Sequence, residues 1–521
     1  MKTIDIKFRI KLIMGAMVML VLGSCSLEEE TYSIYTPETF YSNDFQVLSS
    51  LSGIYRNFAG ITGMGVEYRT LELSADQVVV QAKIQGWWGG DNFWQLMEHD
   101  WNPDHAYIGG TWDTFFRTVG QTNALLNSLE GSNLDVTGPI GELRSLRAYA
   151  YFFLMDLFGN VPIFTEPKVD PLNLPTQNSR LEVFEFVTSE LKAAAEVLPS
   201  KSEAGSDYYG RITKEAAWSL LATIYLNAEV YTGTAMNDEA EEYADKVINS
   251  GNYSLLPNFF DNFVPDNQNN AEFIFGAVYS PDVAGGIGHP LVQKVLPGIS
   301  GGLFGLPYTP QNGFATRPSI YNAYTDEDIR KDVFIGYGPL IDPRNGETVM
   351  VERIVPDNNS ALYVPGVSSE GPVPYEIIPA TGIRSQPMNA GLKWIKWQLD
   401  PNTQGGNAGN DIAFIRYADI LLIKAEAMAR QGDLEGAKDY VNMVRERSNA
   451  EPFTSITLED ILEERNRELA FEMTRRRDLI RFGKFTDAWE WKPASEPFRT
   501  MYPIPQSALN ANPNLQQNPG Y

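Results

Sequence analysis

Apolar residues recur at a spacing of three to four through much of the chain, most regularly between residues 412 and 482. There they fall at positions 421, 425 and 428, and again at 437, 441 and 444, so each set lies on one stripe of a helix. Gly432 and Asp433 separate the two sets, and glycine gives the backbone freedom that a tight turn needs. The pattern predicts a helical hairpin, with Ala425 and Ala437 where its two helices cross.

The same spacing recurs in earlier segments. Trp218, Leu221, Ala222 and Tyr225 match the first-helix pattern of a tetratricopeptide repeat. A single hairpin of this kind cannot bury its apolar face alone and must stack on neighbouring hairpins. Further helices are expected over Val47 to Tyr55, Trp112 to Leu126, Leu143 to Leu157, Leu181 to Leu198 and Ala240 to Val247. The prediction is a mainly α protein built from tetratricopeptide-like helical pairs.

The secondary structure of three other stretches can be predicted. A helix is predicted from about Leu458 to Phe482, with Thr457 and Asp460 as an N-terminal capping pair. Residues 253–411 are rich in Gly, Pro, Asn and Tyr, which predicts long loops with few helical windows beyond 317–333. Near the start, Thr36 and Pro37 predict the cap and first turn of the first folded helix.

Several motifs near the C-terminus carry a family resemblance. They are Arg-Tyr-Ala-Asp-Ile-Leu-Leu at 416–422, the charged helix 464–472, Arg-Asp-Leu at 477–479 and the Pro- and Asn-rich tail at 502–521. Together they resemble the C-terminal half of the SusD/RagB family, surface lipoproteins of Bacteroidetes that bind nutrients, mostly glycans. The run Arg475-Arg476-Arg477 stands where many members carry an aromatic residue, and we interpret that helix end as structural.

The resemblance implies a SusD-like fold in which helical pairs are wrapped by long loops and a few short strands. It divides the chain into a helical-repeat region at 36–252 and a C-terminal region at 253–521, expected to form one compact body. The C-terminal region is expected to comprise the loop-rich 253–411, the helical 412–490 and an extended tail at 491–521.

The N-terminus has the pattern of a lipoprotein signal. Basic residues precede an apolar run of eleven, Leu12 to Leu22, which is too short for an ordinary membrane span. Leu22-Gly23-Ser24-Cys25 then matches a bacterial lipobox. The pattern predicts a signal peptide at 1–24, lipidation of Cys25 and an acidic tether at 25–35; a plain secretory signal is the alternative. Cys25 is the only cysteine, so no intramolecular disulfide can form.

Charge narrows the class of partner. The chain holds 41 Lys and Arg against 66 Asp and Glu, a formal net charge of −25. So negative a charge argues against nucleic acid or an anionic membrane surface as partner. It suits a neutral or cationic ligand, although solubility alone also explains it.

The stretch 81–102 holds four of the ten tryptophans among Gly, Asp and Asn. Its glycines disfavour a helix around the adjacent Trp87 and Trp88, so the stretch is expected to be a loop. Aromatic faces stack on the C–H faces of sugars while polar neighbours bond the hydroxyls. Packing of the rings on the protein is the alternative, above all for Trp94 and Trp101. The candidate ligand contacts here are Lys83, Gln85, Trp87, Trp88, Asp91, Asn92 and Trp94.

A second candidate element is the glycine-rich segment 301–313. Long loops of this kind often carry function, and here Phe304, Tyr308 and Asn312 are the candidate ligand contacts. A loop that simply packs on the helices is an equally good interpretation.

Motifs for catalysis are missing from the sequence. The three histidines, His99, His105 and His289, have no metal-ligand spacing, and His99 and His105 are expected at the surface. No nucleophile elbow, phosphate-binding loop or dinucleotide fingerprint occurs. We therefore expect no catalytic residues, no metal site and no cofactor.

These observations predict a lipid-anchored protein on the outer-membrane surface that binds an oligosaccharide without cleaving it. The resemblance implies that a SusC-like TonB-dependent transporter receives the ligand. The alternatives are an extracellular glycoside hydrolase, because acid pairs are inevitable among 66 carboxylates, and a helical-repeat scaffold with a non-glycan ligand.

Overall fold

A computed structural model describes most of the chain. The described residues are 41–83, 90–130, 132–280, 288–303, 306–342, 345–352, 372–384, 386–387, 389–400, 403 and 405–521. Thr36, Pro37, Cys25, Gln85, Trp87, Trp88 and Phe304 lie outside them.

About 49% of the described residues are helical, which confirms the mainly α class. The α-helices are α1 Asp44–Thr62, α2 Val66–Glu72, α3 Asp91–Glu98, α4 Ala106–Leu129, α5 Thr137–Phe158, α6 Arg180–Val197, α7 Lys201–Ala204, α8 Lys214–Leu226, α9 Ala228–Thr232, α10 Asn237–Asn249, α11 Leu291–Val295, α12 Ser300–Leu303, α13 Pro318–Tyr321, α14 Tyr417–Arg430, α15 Leu434–Arg447, α16 Leu458–Glu468, α17 Arg475–Arg481 and α18 Gln506–Ala511. Within the described ranges, none is both long and apolar enough to cross a membrane.

The strands are short and form antiparallel pairs. They are β1 Val78–Val80, β2 Phe273–Ala277, β3 Phe314–Thr316, β4 Phe334–Ile335, β5 Gly338–Pro339, β6 Met350–Glu352, β7 Pro372–Pro374, β8 Glu376–Ile377, β9 Lys393–Trp394 and β10 Ile412–Arg416. The pairs are β1–β3, β2–β10, β4–β9, β5–β8 and β6–β7. β10 leads directly into α14, so the β2–β10 pair fixes the entry of the C-terminal hairpin.

The long helices pack side by side in chain order. α4 packs on α5, α5 on α6, α6 on α8, α8 on α10, and α10 on α14, which also contacts α15 and α16. Ala222, Ala425 and Ala437 have no exposed surface, as expected where helices approach closely. One continuous apolar core extends from Val47 to Leu515 and joins both halves of the chain.

The predicted cap and first turn at Thr36 and Pro37 lie outside the described residues. The first described helix starts at Asp44, because the Asn43 side chain accepts a hydrogen bond from the Gln46 backbone N–H at 3.1 Å and caps it. The window 317–333 holds only α13 and a 3-10 turn, Ile329–Val333, rather than one helix.

The helix expected from Leu458 to Phe482 is in fact two helices, α16 and α17. The capping pair Thr457 and Asp460 is present as predicted. Between the helices, Phe471 and Met473 take positive φ angles of 69° and 61°. The Gln77 side chain accepts a hydrogen bond from the Phe471 backbone N–H at 3.0 Å, and the Glu72 side chain accepts one from the Met473 backbone N–H at 2.5 Å. These buried acceptors replace the helical bonds and hold the chain in a turn that periodicity cannot reveal.

A buried layer of charge joins β10, α15 and α16. Glu468 of α16 accepts hydrogen bonds from Arg416 Nη1 at 2.6 Å and Arg330 Nη1 at 2.9 Å, and it also pairs with Arg447. Burial alone would raise the pKa of Glu468, but the guanidinium groups of Arg447, Arg416 and Arg330 hold it well below its usual range. The charged helix at 464–472, one of the motifs of the family resemblance, therefore joins parts of the interior by buried ion pairs and is not a ligand site.

The arginine run at the start of α17 is likewise directed inward. Arg475 pairs with Asp76 at 2.8 Å, and Arg476 lies 3.4 Å from Asp156. Both arginines are buried, which agrees with the structural interpretation of this run.

Candidate functional site

The stretch expected to be one aromatic loop is partly helical. After residues 84–89, which lie outside the described ranges, Gly90 has φ 69° and precedes α3. Phe93, Leu96 and Met97 turn inward from α3 because they recur on its apolar stripe. The prediction of a loop through residue 102 was therefore wrong for residues 91–98. Asp91, Asn92 and Trp94 occupy the first turn of this helix.

α3 is anchored at both ends by histidines that were expected at the surface. His105 Nε2 bonds the Asn92 backbone oxygen at 2.9 Å, and the His105 ring also caps α4. His99 bonds the Ser74 carbonyl at 2.8 Å and Ser495 Oγ at 3.0 Å. Both rings are buried, and burial lowers the pKa of each below its usual value. The prediction that both lie at the surface was wrong, because backbone groups and the Ser495 hydroxyl satisfy their ring nitrogens inside the protein.

Trp94 is half-buried and lies under a guanidinium from a distant segment. Arg384 Cζ sits 4.1 Å from the centroid of the Trp94 ring. Arg384 Nη2 also reaches both carboxylate oxygens of Glu98, at 3.0 and 2.9 Å. About 52% of the Arg384 side chain and 30% of the Glu98 side chain remain exposed. We call Trp94, Glu98 and Arg384 the α3 platform.

The backbone explains how Arg384 reaches α3. The segment before and after it runs beside the strand end at Ala82: Ala82 N–H donates to the Ile383 carbonyl at 2.9 Å, and Gln386 N–H donates to the Ala82 carbonyl at 2.8 Å. This pairing places Ile383, Arg384 and Gln386 beside Ala82. Arg384 and Glu98 were missed from the sequence because nearly 300 residues separate them and no local pattern joins them.

Lys83 is directed into the protein. It is about 5% exposed, and its ammonium donates to Gln81 Oε1 at 3.1 Å and to the Ala390 carbonyl. Burial lowers the pKa of Lys83 to about 7. These hydrogen bonds join the strand end to residue 390 and leave little of the side chain accessible from outside.

The second candidate segment reaches the same region through the β1–β3 pair. Val80 pairs with Phe314, and the Phe314 ring packs edge-on against Phe93 of α3 at 6.2 Å. Asn312 precedes this strand but is buried, and its backbone N–H donates to the Leu296 carbonyl at 3.0 Å. Asn312 is therefore not at the surface. Tyr308 is half-buried, and burial together with Asp400 raises its pKa to about 12.

The platform offers three kinds of sugar contact in one place. An indole ring gives an apolar surface, a guanidinium donates hydrogen bonds, and a carboxylate accepts them. Asp91, exposed one turn earlier on α3, adds a further acceptor. Among the described residues, no group of three or more His, Cys, Asp and Glu side chains could hold a metal ion.

Comparison with known proteins gives two adjoining family matches. The model of the SusD family matches residues 226–497, and a model described as starch-binding, associating with the outer membrane, matches residues 29–226. The starch-binding protein SusD of Bacteroides thetaiotaomicron is 27% identical over 490 residues, covering 87% of this chain and 86% of that protein.

Solved structures share the fold. A laminarin-binding SusD-like protein superimposes with a TM-score of 0.72 at 22% identity, covering 92% of this chain and 100% of that one. Surface glycan-binding protein A from Bacteroides thetaiotaomicron, in complex with laminarihexaose, gives a TM-score of 0.70 at 22% identity, with 91% and 99% coverage.

Proposed function

The chain belongs to the SusD family, and we propose that it binds an oligosaccharide at the cell surface and passes it, uncleaved, to a TonB-dependent outer-membrane transporter. The observation that carries the binding proposal is the α3 platform, where Arg384 stacks on Trp94 and holds Glu98. The helix that carries Trp94 and Glu98 begins shortly after residues 84–89, which include Trp87 and Trp88, the residues predicted to stack on a sugar.

Sugar binding suits this geometry for a physical reason. Adjacent hydroxyls of a sugar need both donors and acceptors, and the exposed parts of Arg384 and Glu98 supply one of each. Their mutual ion pair fixes both groups before the ligand arrives, which reduces the entropy lost on binding. The relatives named for starch and laminarin support a glycan as the ligand class.

Location and partner extend this proposal. The lipobox at Cys25 supports anchoring to the outer membrane, as does the match to a family described as associating with that membrane. Delivery to a SusC-like transporter is proposed from the family resemblance. The net charge of −25 supports a neutral glycan rather than nucleic acid as ligand.

A polysaccharide panel tests binding and cleavage together. Purified protein lacking residues 1–25 is run by affinity electrophoresis through gels containing amylopectin or laminarin, while parallel incubations are assayed for new reducing ends. We expect retardation by at least one polysaccharide and no reducing ends. Release of reducing ends would identify a hydrolase, and failure to bind any glycan in a wider panel would favour a scaffold or a non-glycan ligand.

A further inference from the structure

A pocket of about 380 Å³ opens between α1, the segment 209–211 and the paired strands β2 and β10. Its volume lies in the roughly 300–1,000 Å³ range of small-molecule sites. It shares no lining residue with the α3 platform, and the proposed glycan binding does not use it.

The floor of the pocket is aromatic. Phe58, Phe275 and Phe414 are buried beneath it, and the rings of Phe275 and Phe414 lie 5.3 Å apart. Gly276 allows this floor to form, because a Cβ there would lie 2.3 Å from the Ile412 carbonyl oxygen of the paired strand. The floor favours a flat or branched apolar group.

Hydrogen bonds fix the walls of the pocket. The Tyr55 hydroxyl donates to Glu142 at 2.5 Å and accepts from the Ile212 backbone N–H at 2.9 Å. The Tyr209 hydroxyl donates to Asp411 at 2.6 Å. Because these two tyrosine hydroxyls are already engaged, they offer little to a sugar, which would bring several hydroxyls.

One charged side chain that lines the pocket, Arg56, has no hydrogen-bond or ion-pair partner within the described ranges. Arg211 is paired with the buried Glu142, and Asp411 accepts from Tyr209 and from the Tyr279 backbone N–H at 2.8 Å. Arg56 lines the pocket from an exposed position on α1. A ligand with one negative charge would complement it.

We propose that this pocket binds a small monocarboxylate with an aromatic or branched aliphatic body. The body would rest on the phenylalanine floor, and the carboxylate would pair with Arg56 at the rim. The pocket would thus give the protein a second ligand site, different in chemistry from the glycan platform.

Calorimetry with 3-phenylpropanoate and its uncharged amide tests the proposal. Arg56→Gln removes the charge, and Arg117→Gln makes the same change at an exposed position on α4 that does not line the pocket. Ser52→Trp places bulk at the pocket from an exposed helical position, and Ser49→Trp is its control one turn earlier.

We expect saturable binding of the carboxylate, at least tenfold weaker binding of the amide, and at least tenfold weaker carboxylate binding by Arg56→Gln and Ser52→Trp. Both controls should match the parent protein. The proposal is overturned if no binding occurs up to about 10 mM, beyond the affinity expected of so small a ligand, or if the amide binds as well as the acid, or if Arg56→Gln binds normally. Glycan retardation should be unchanged in all four variants, so the two sites fail independently.

Discussion

Replacing Glu468 with glutamine tests the buried layer of charge that ties the C-terminal helices to β10. The side chain has no exposed surface and faces Arg416, Arg330 and Arg447. Glutamine keeps the shape, but it removes the negative charge and turns an amide N–H₂ toward guanidinium donors. Removing one partner from a buried ion pair costs about 3–5 kcal/mol, because the remaining charges stay desolvated.

The expected shift in melting temperature follows from the chain length. Unfolding entropy scales with length, giving about 1 kcal/mol per K for a protein of this size, so Glu468→Gln should lower Tm by about 3–5 °C. Calorimetric unfolding of the parent and variant measures this. Glu459→Gln is the matched control, since it makes the same change in the same helix at an exposed pair with Lys484. If both variants melt alike, the buried layer does not stabilise the fold as described.

Three further predictions concern packing, pH and the anchor. Ala222→Leu should overpack a fully buried position and cost about 1–3 kcal/mol, seen as a lower Tm, whereas Ala235→Leu at an exposed site should not; equal Tm values would show that Ala222 is not at a crossing. Burial lowers the pKa of His289 to about 3. Below about pH 6.5 this side chain therefore binds a proton in the unfolded chain but not in the folded protein. The contribution of neutral His289 to the free energy of unfolding is therefore complete above pH 6.5 and falls by about 2 kcal/mol at pH 5. The Tm of His289→Phe should fall correspondingly less than that of the parent protein between pH 7.5 and 5. An equal fall in both proteins would refute this. Cys25→Ala should move the protein from the membrane to the soluble fraction, and a variant that still pellets in cells lacking the transporter would argue against the anchor.

Periodicity predicted helical pairs where a helix buries one apolar stripe, as α6 does. It failed where distant side chains override the local pattern. Gln77 and Glu72 capture the backbone at Phe471 and Met473 and split one expected helix into two. Such long-range hydrogen bonds leave no trace in local sequence.

The sequence predicted only part of the candidate site, because long-range contacts bring its other residues together. The tryptophan-rich stretch led to Trp94, but Arg384 and Glu98 became neighbours only through the pairing of residue 82 with 383 and 386. Lys83 and Asn312 are polar, yet both are buried, and the Lys83 ammonium donates to the Ala390 carbonyl. The composition of the tryptophan-rich stretch predicted a glycan as the ligand class, whereas only the folded structure shows which side chains lie together.

Calorimetric titration of Trp94→Ala with the glycan found in the panel tests the central claim most directly. We expect the variant to fold, with a Tm close to that of the parent, and to lose about 2 kcal/mol or more of binding free energy, as aromatic hot spots do. Phe45→Ala, which removes a ring that is 78% exposed on α1, should bind normally. Trp87→Ala and Trp88→Ala, titrated alongside, show whether these two tryptophans also contribute to binding. A folded Trp94→Ala protein that binds as tightly as the parent would contradict the α3 platform as the glycan site.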